Sequence, residues 1–121
     1  MSATQDIEHP VRGQLDACNA RDIERFMPWW AEDCRCCAFP STLLADGAAP
    51  IRAPHVECFR EPGLHGRLVK RIVVGNMVVD QEVVTCNFPE GRGDVDVLAI
   101  YEVEAGRIAQ AWFNLGEPRL G

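Results

Sequence analysis

The sequence predicts one α+β domain: a curved, mainly antiparallel sheet with three helices covering one of its sides. Three observations carry this. The closing run Val95–Leu115 reads as a hairpin whose two faces are both apolar in their middles. Earlier apolar residues recur at helical spacing, and from Leu68 onward the pattern changes to β-branched strands. A sheet apolar on both sides needs two covers. A chain of 121 residues supplies helices for one, and a second copy of the sheet is the natural cover for the other.

In the first helix, residues 10–19, Val11, Leu15 and Cys18 form one stripe, and Pro10 suits the first turn. Asp22 is placed to cap a second helix carrying Ile23, Phe26, Met27 and Trp30. Pro28 removes a helical hydrogen bond, so that helix is short and Trp29-Trp30 fall in a loose final turn, as core filler or as the lining of a cavity mouth. Cys34–Phe39, closed by Pro40, reads as a single strand, and 41–53 as a loop overhanging a pocket. A short third helix follows, with Pro54 near its start and Pro62 stopping it after Glu61. It places Ile51, His55, Cys58 and Phe59 on one stripe.

Leu68–Val74 and Met77–Phe88 form a hairpin about Gly75-Asn76, where a type II′ turn needs positive φ at Gly. Pro89 ends the second strand, and 89–93 connect to the closing hairpin. There Glu104-Ala105-Gly106 reads as a three-residue turn with Val103 opposite Arg107. The register puts Val95, Val97, Ala99 and Tyr101 on one face with Ala109, Ala111, Phe113 and Leu115. The other face takes Asp96, Leu98, Ile100 and Glu102 with Ile108, Gln110, Trp112 and Asn114.

Composition narrows the partners. A net charge of -6 and eleven scattered Arg offer no concentrated positive patch, which argues against nucleic acid or an anionic membrane. No segment approaches the ~20 apolar residues of a membrane span, and MSATQDIEHP has no export character, so a cytoplasmic location is the expectation. The six cysteines are then expected to be reduced. Cys34, Cys36 and Cys37 lack a matching pair to close a tetrahedral site, so they read as small hydrophobes; no metal and no cofactor are expected.

The element order, with IYEVEAGRIAQAWF near the end and NARDIERFMPWWAEDC near the start, resembles the nuclear transport factor two superfamily over nearly the whole chain. Within it the ketosteroid isomerase-like and SnoaL-like (polyketide cyclase) groups are the nearest in pattern. The resemblance implies a cone-shaped barrel with an apolar pocket and an outer face that often forms a homodimer. It leaves the chemistry open, since this fold hosts isomerases, cyclases, dehydratases, epoxide hydrolases and proteins without turnover. At the three positions where steroid isomerases of the fold carry Tyr, Asp and Asp, this chain has Gln14, Ala38 or Phe39, and Leu98 or Ala99, none ionisable. The Asp-Arg-Asp set of the epoxide hydrolases has Arg71, Asp80, Asp94 and Asp96 as its strand-borne members here, and the sequence does not bring them together on the inner face.

Two side chains are candidates for chemistry. Tyr101, alone among apolar neighbours, reads as a hydrogen-bond donor to an enolate or carbonyl oxygen, or as a structural phenol bonded to backbone. His55 reads as a general acid or base, or as a rim histidine. Trp30, Phe39, Phe59, Ala99 and Phe113 are expected to line the ligand pocket, while Asp94 and Asp96 read as solvated or dimer-edge acids. The expected function is that of an isomerase, cyclase or lyase acting on a small apolar carbonyl compound; the alternative is a dimeric pocket protein without turnover.

Overall fold

The computed structural model describes residues 6–121, so the start of the amino-terminal stretch read above lies outside the described residues. In order come α1 (His9–Asn19), α2 (Ile23–Phe26), a 3-10 turn (Met27–Trp29), β1 (Trp30–Ala38), β2 (Thr42–Asp46) and α3 (Ala49–Phe59). Then follow β3 (His65–Val74), β4 (Met77–Phe88), β5 (Gly91–Glu104), β6 (Arg107–Leu115) and β7 (Arg119–Leu120). The sheet order is β2-β1-β6-β5-β4-β3, with β7 added to β5, and every pairing is antiparallel except β1 with β6. The sheet stays open, because β2 and β3 end it without meeting.

The core lies between the helices and the inner face. α1 contributes Val11 and Ala17, α2 Phe26, and α3 Ile51 and Phe59; the strands answer with Val78, Ala99, Tyr101, Val103, Ile108 and Ala111. Leu15 is buried and Cys18 half-buried beside Val11, as the helical stripe required. Asp22 caps α2 by accepting from the backbone N–H groups of Glu24 and Arg25 at 3.1 and 3.3 Å.

Several expectations change. Trp30 opens β1 instead of closing a helix: Pro28 limits α2 to one turn, a 3-10 turn follows, and Trp30 is already extended at φ -99°, ψ 131°. The loop at 41–53 contains β2 and the first turn of α3; Pro50 is tolerated there, and Pro54 lies inside the helix, where it gives no N–H to the Pro50 carbonyl. β3 and β5 begin at His65 and Gly91, shortening both connections.

The closing hairpin turns in two residues, Ala105 at φ 52° and Gly106 at φ 76°, so Glu104 faces Arg107. Both residues are left-handed, as a type I′ turn demands. A bulge at Ala109 then restores the face parity of the longer strand segments, but it moves Ile108 from the outer face to the inner, opposite Val103 and with no exposure.

Candidate active site

A groove of about 410 Å³ opens between α3, β2 and β6. Its lining includes Trp30, Leu44, Ile51, His55, Phe113 and Leu115, and His55 is the one ionisable side chain of the lining apart from the Cys36 thiol. A hollow of about 1060 Å³ lies elsewhere, walled by Glu32, Asp33, Arg35, Glu102, Glu104 and Arg107. Its charged side chains suit water better than an apolar ligand.

α3 delivers His55 to the groove on the same stripe as Ile51 and Phe59. The ring packs on Phe26, centroids 4.7 Å apart, and on Phe59 at 5.9 Å. Its Nδ1 lies 2.8 Å from the Ile51 carbonyl oxygen. A carbonyl only accepts, so Nδ1 carries the hydrogen and the lone pair of the neutral ring sits on Nε2. Burial lowers the pKa, partly opposed by the bond to Ile51, so the neutral form prevails at pH 7.

Trp30 is 4% exposed and packs between Phe26 at 5.7 Å and Tyr101 at 6.3 Å. Its Nε1 is buried with no hydrogen-bond partner among the described residues. Phe113 joins the groove wall from β6 and meets Tyr101 edge-on at 6.1 Å.

Tyr101 stands behind these two rings, 3% exposed, and is not among the residues lining the groove. Its hydroxyl accepts from Gln14 Nε2 at 3.3 Å, and burial pushes its pKa well up, with Glu82 and Asp80 adding to the effect. His55 and Tyr101 are thus brought to the same aromatic cluster but not to a common open surface. Ala99 and Phe59 are buried in the core, and Phe39 is 54% exposed beyond the end of β1, away from the groove lining.

Sequence reasoning missed a polar row on the inner face beyond Tyr101. Arg71 on β3 grips Asp80 on β4 with Nε to Oδ1 at 2.7 Å and Nη2 to Oδ2 at 2.8 Å, and Asp80 is wholly buried. Glu82, two residues along, is 7% exposed. Burial first, then the Asp80 charge, push its carboxyl up to about 7, against the pull of Arg71. The hairpin register about Gly75-Asn76 already sets Arg71 opposite Asp80; what was lacking was the face. Asp94 accepts from Thr85, and Asp96 pairs with Arg119 in the open, so neither belongs to this row.

All six cysteines are free, and among the described residues no three His, Cys, Asp or Glu side chains converge as metal ligands would. No helix among the described residues is long and apolar enough to cross a membrane.

An open sheet with three helices on one face and an apolar groove at their edge defines a protein of the cystatin-like, nuclear transport factor two-like class. The SnoaL-like domain family matches residues 11–111, and the chain belongs to that family. An uncharacterised cystatin-fold protein from Novosphingobium aromaticivorans superposes with a TM-score of 0.79 at 21% identity, covering 92% of this chain and 98% of its own. An LEH-like epoxide hydrolase from M. tuberculosis gives 0.78 at 14%, covering 91% and 82%. IdmH, a candidate polyketide cyclase from Streptomyces antibioticus, gives 0.75 at 15%, covering 92% of each chain. No curated protein sequence matches the chain. At these identities the structural likenesses establish the fold and leave the chemistry to the side chains.

Proposed function

We propose that this protein binds a small, largely apolar carbonyl compound in the groove between α3 and β6 and moves a proton on it, the step shared by isomerases, cyclases and lyases. One observation carries the reading: the Nδ1 bond to Ile51 fixes the tautomer of a ring that burial keeps neutral, so the lone pair of His55, the one imidazole of an otherwise mostly apolar groove lining, sits on Nε2. In the first step the C–H bond beside the carbonyl breaks, the proton goes to Nε2, and the electron pair moves to the carbonyl oxygen. Where a C=C of the ligand conjugates with the enolate so formed, returning the proton to its far carbon as the oxygen's electron pair re-forms the carbonyl shifts the double bond and isomerises the ligand. A base positioned this way typically contributes ~10²–10⁴-fold in rate. The steroid isomerase reaction is outside this proposal, since Gln14, Ala38 or Phe39, and Leu98 or Ala99 stand where that chemistry uses ionisable groups.

A second reading, a binding protein without turnover, is favoured by the placement of Tyr101, whose hydroxyl is engaged by Gln14 and leaves the groove without it. Deuterium uptake beside the carbonyl of bound cyclic ketones separates the two. Uptake by the wild type that fails in His55→Gln supports proton transfer. Tight binding with no uptake supports the second reading, and no binding of any ketone sinks both.

A further inference from the structure

We infer that the Trp30 indole N–H is the donor that recognises the ligand's oxygen, and that it stabilises the negative charge formed there when His55 takes the proton. This rests on the groove reading above. It starts from an anomaly: Trp30 Nε1 is buried, and no acceptor among the described residues meets it. A buried donor without a partner is costly and uncommon in a folded protein, and each one calls for an explanation. Phe at this position would fill much of the same space against Phe26 and Tyr101 and bring no such cost. The indole therefore holds a donor whose acceptor arrives from outside.

The location supports that source. Trp30 and His55 line the same groove, and Phe26 touches both rings. One supplies an N–H, the other a lone pair, and the remaining walls are almost wholly apolar. That is the minimum set for proton abstraction beside a carbonyl, with a donor for the oxygen and an acceptor for the proton. Nε1 is itself shielded from solvent, so a ligand reaches it by parting the groove wall. Leu44 and Leu115, each 61% exposed, are the least confined large apolar side chains of that wall. The ligand class follows: a compact apolar body carrying one hydrogen-bond-accepting oxygen, with an acidic C–H next to it.

The test uses the full chain labelled with nitrogen-15 and a matched pair of probes, β-tetralone and its parent hydrocarbon tetralin. The indole signal of Trp30 is followed beside those of the other two tryptophans. β-Tetralone should shift the Trp30 indole proton downfield as a new hydrogen bond forms, while tetralin should not. Trp30→Phe should weaken β-tetralone ~10-fold or more, because a bound oxygen loses its donor. Tetralin affinity should change far less. If both probes bind and the Trp30 signal ignores the carbonyl, the inference is overturned while the groove reading stands. If neither probe binds, the groove reading falls and takes the inference with it. The resonance measurement on the wild type decides the matter even if Trp30→Phe does not fold.

Discussion

Arg71 and Asp80 face each other across β3 and β4 in a two-pronged ion pair, with Asp80 wholly buried and the Arg71 side chain 10% exposed. A buried pair of this kind is a weak source of net stability, because desolvation offsets attraction. Breaking it from one side is different. Arg71→Met should cost ~3–5 kcal/mol by leaving Asp80 charged and unpartnered, whereas Arg71→Met with Asp80→Leu should cost much less. Urea denaturation of the three proteins measures this, and equal losses for the single and double variants would contradict it.

Glu82 makes stability depend on pH in a direction opposite to the usual carboxylate. Its pKa rises from 4.5 to about 7 on folding, so between those values the folded state holds a proton that the unfolded state has released. Stability is therefore greatest below pH 4.5 on this account, falls as pH rises towards 7, and levels off above it. The loss is at most roughly 3 kcal/mol for a shift of this size. His55 acts at the acid end: its lowered pKa means that stability is lost as pH falls below 6.5. Glu82→Gln should flatten the first slope and leave the second, and His55→Gln should do the reverse. Melting curves from pH 4 to 9 test both, and a Glu82→Gln profile that parallels the wild type would refute the assignment.

What was legible depended on whether a feature was set by local spacing or by a tertiary irregularity. The Asp22 cap, the Gly75-Asn76 hairpin and the stripe of Ile51, His55 and Phe59 follow from short-range rules, and the structure places them accordingly. Alternation along the strand puts Ile108 on the outer face, whereas a bulge at Ala109, which carries no sequence mark of its own, shifts the parity and turns it inward. β2 was hidden because its pairing with β1 depends on the partner strand and not on Thr42–Asp46 alone. In the site, His55 was legible as a residue, whereas its tautomer depends on the Ile51 carbonyl and Trp30's unmatched nitrogen on every group packed around it. The inner polar row was half legible: strand register pairs Arg71 with Asp80, but only the sheet as a whole shows that they share a face with Tyr101.

Pairing of two copies through the outer face of β5 and β6 is proposed on the apolar side chains found there. Leu98 is 39% exposed, and Ile100 and Trp112 are half-exposed on the same face. Covering them would contribute several kcal/mol at ~25 cal/mol per Å², before association costs are taken off. Sedimentation should show a dimer at micromolar concentration and a shift to monomer in Trp112→Glu. A wild-type monomer at that concentration would remove the proposal.

The cysteines should be chemically quiet. Burial pushes the thiols of Cys18 and Cys36 up to about 12 and that of Cys34 to about 11, so the reactive thiolate is scarce at pH 8. Alkylation at these three positions should be slow until the protein unfolds, and reductant or chelator should leave the melting temperature unchanged. Rapid labelling of Cys34 or Cys36 in the native protein would show that β1 opens readily.

Tyr101→Phe separates a structural phenol from a catalytic one. Its hydroxyl accepts from Gln14, and its ring supports Trp30 and Phe113 from behind, so the hydroxyl has a partner inside the protein already. Removing it should cost ~0.5–1.5 kcal/mol of stability through the lost hydrogen bond, with more if the Gln14 amide is left unsatisfied. Gln14→Leu in the same background should recover part of that loss, because the amide left without an acceptor is then gone as well. Ligand selectivity should not follow the stability. Ketones and hydrocarbons of equal size should bind Tyr101→Phe with the same ratio as the wild type, since the groove wall is made by Trp30 and Phe113 and the hydroxyl does not reach it. A selective loss of ketone affinity in Tyr101→Phe, with the Trp30 indole signal unmoved, would instead make Tyr101 the donor and require the cluster to open between Trp30 and Phe113.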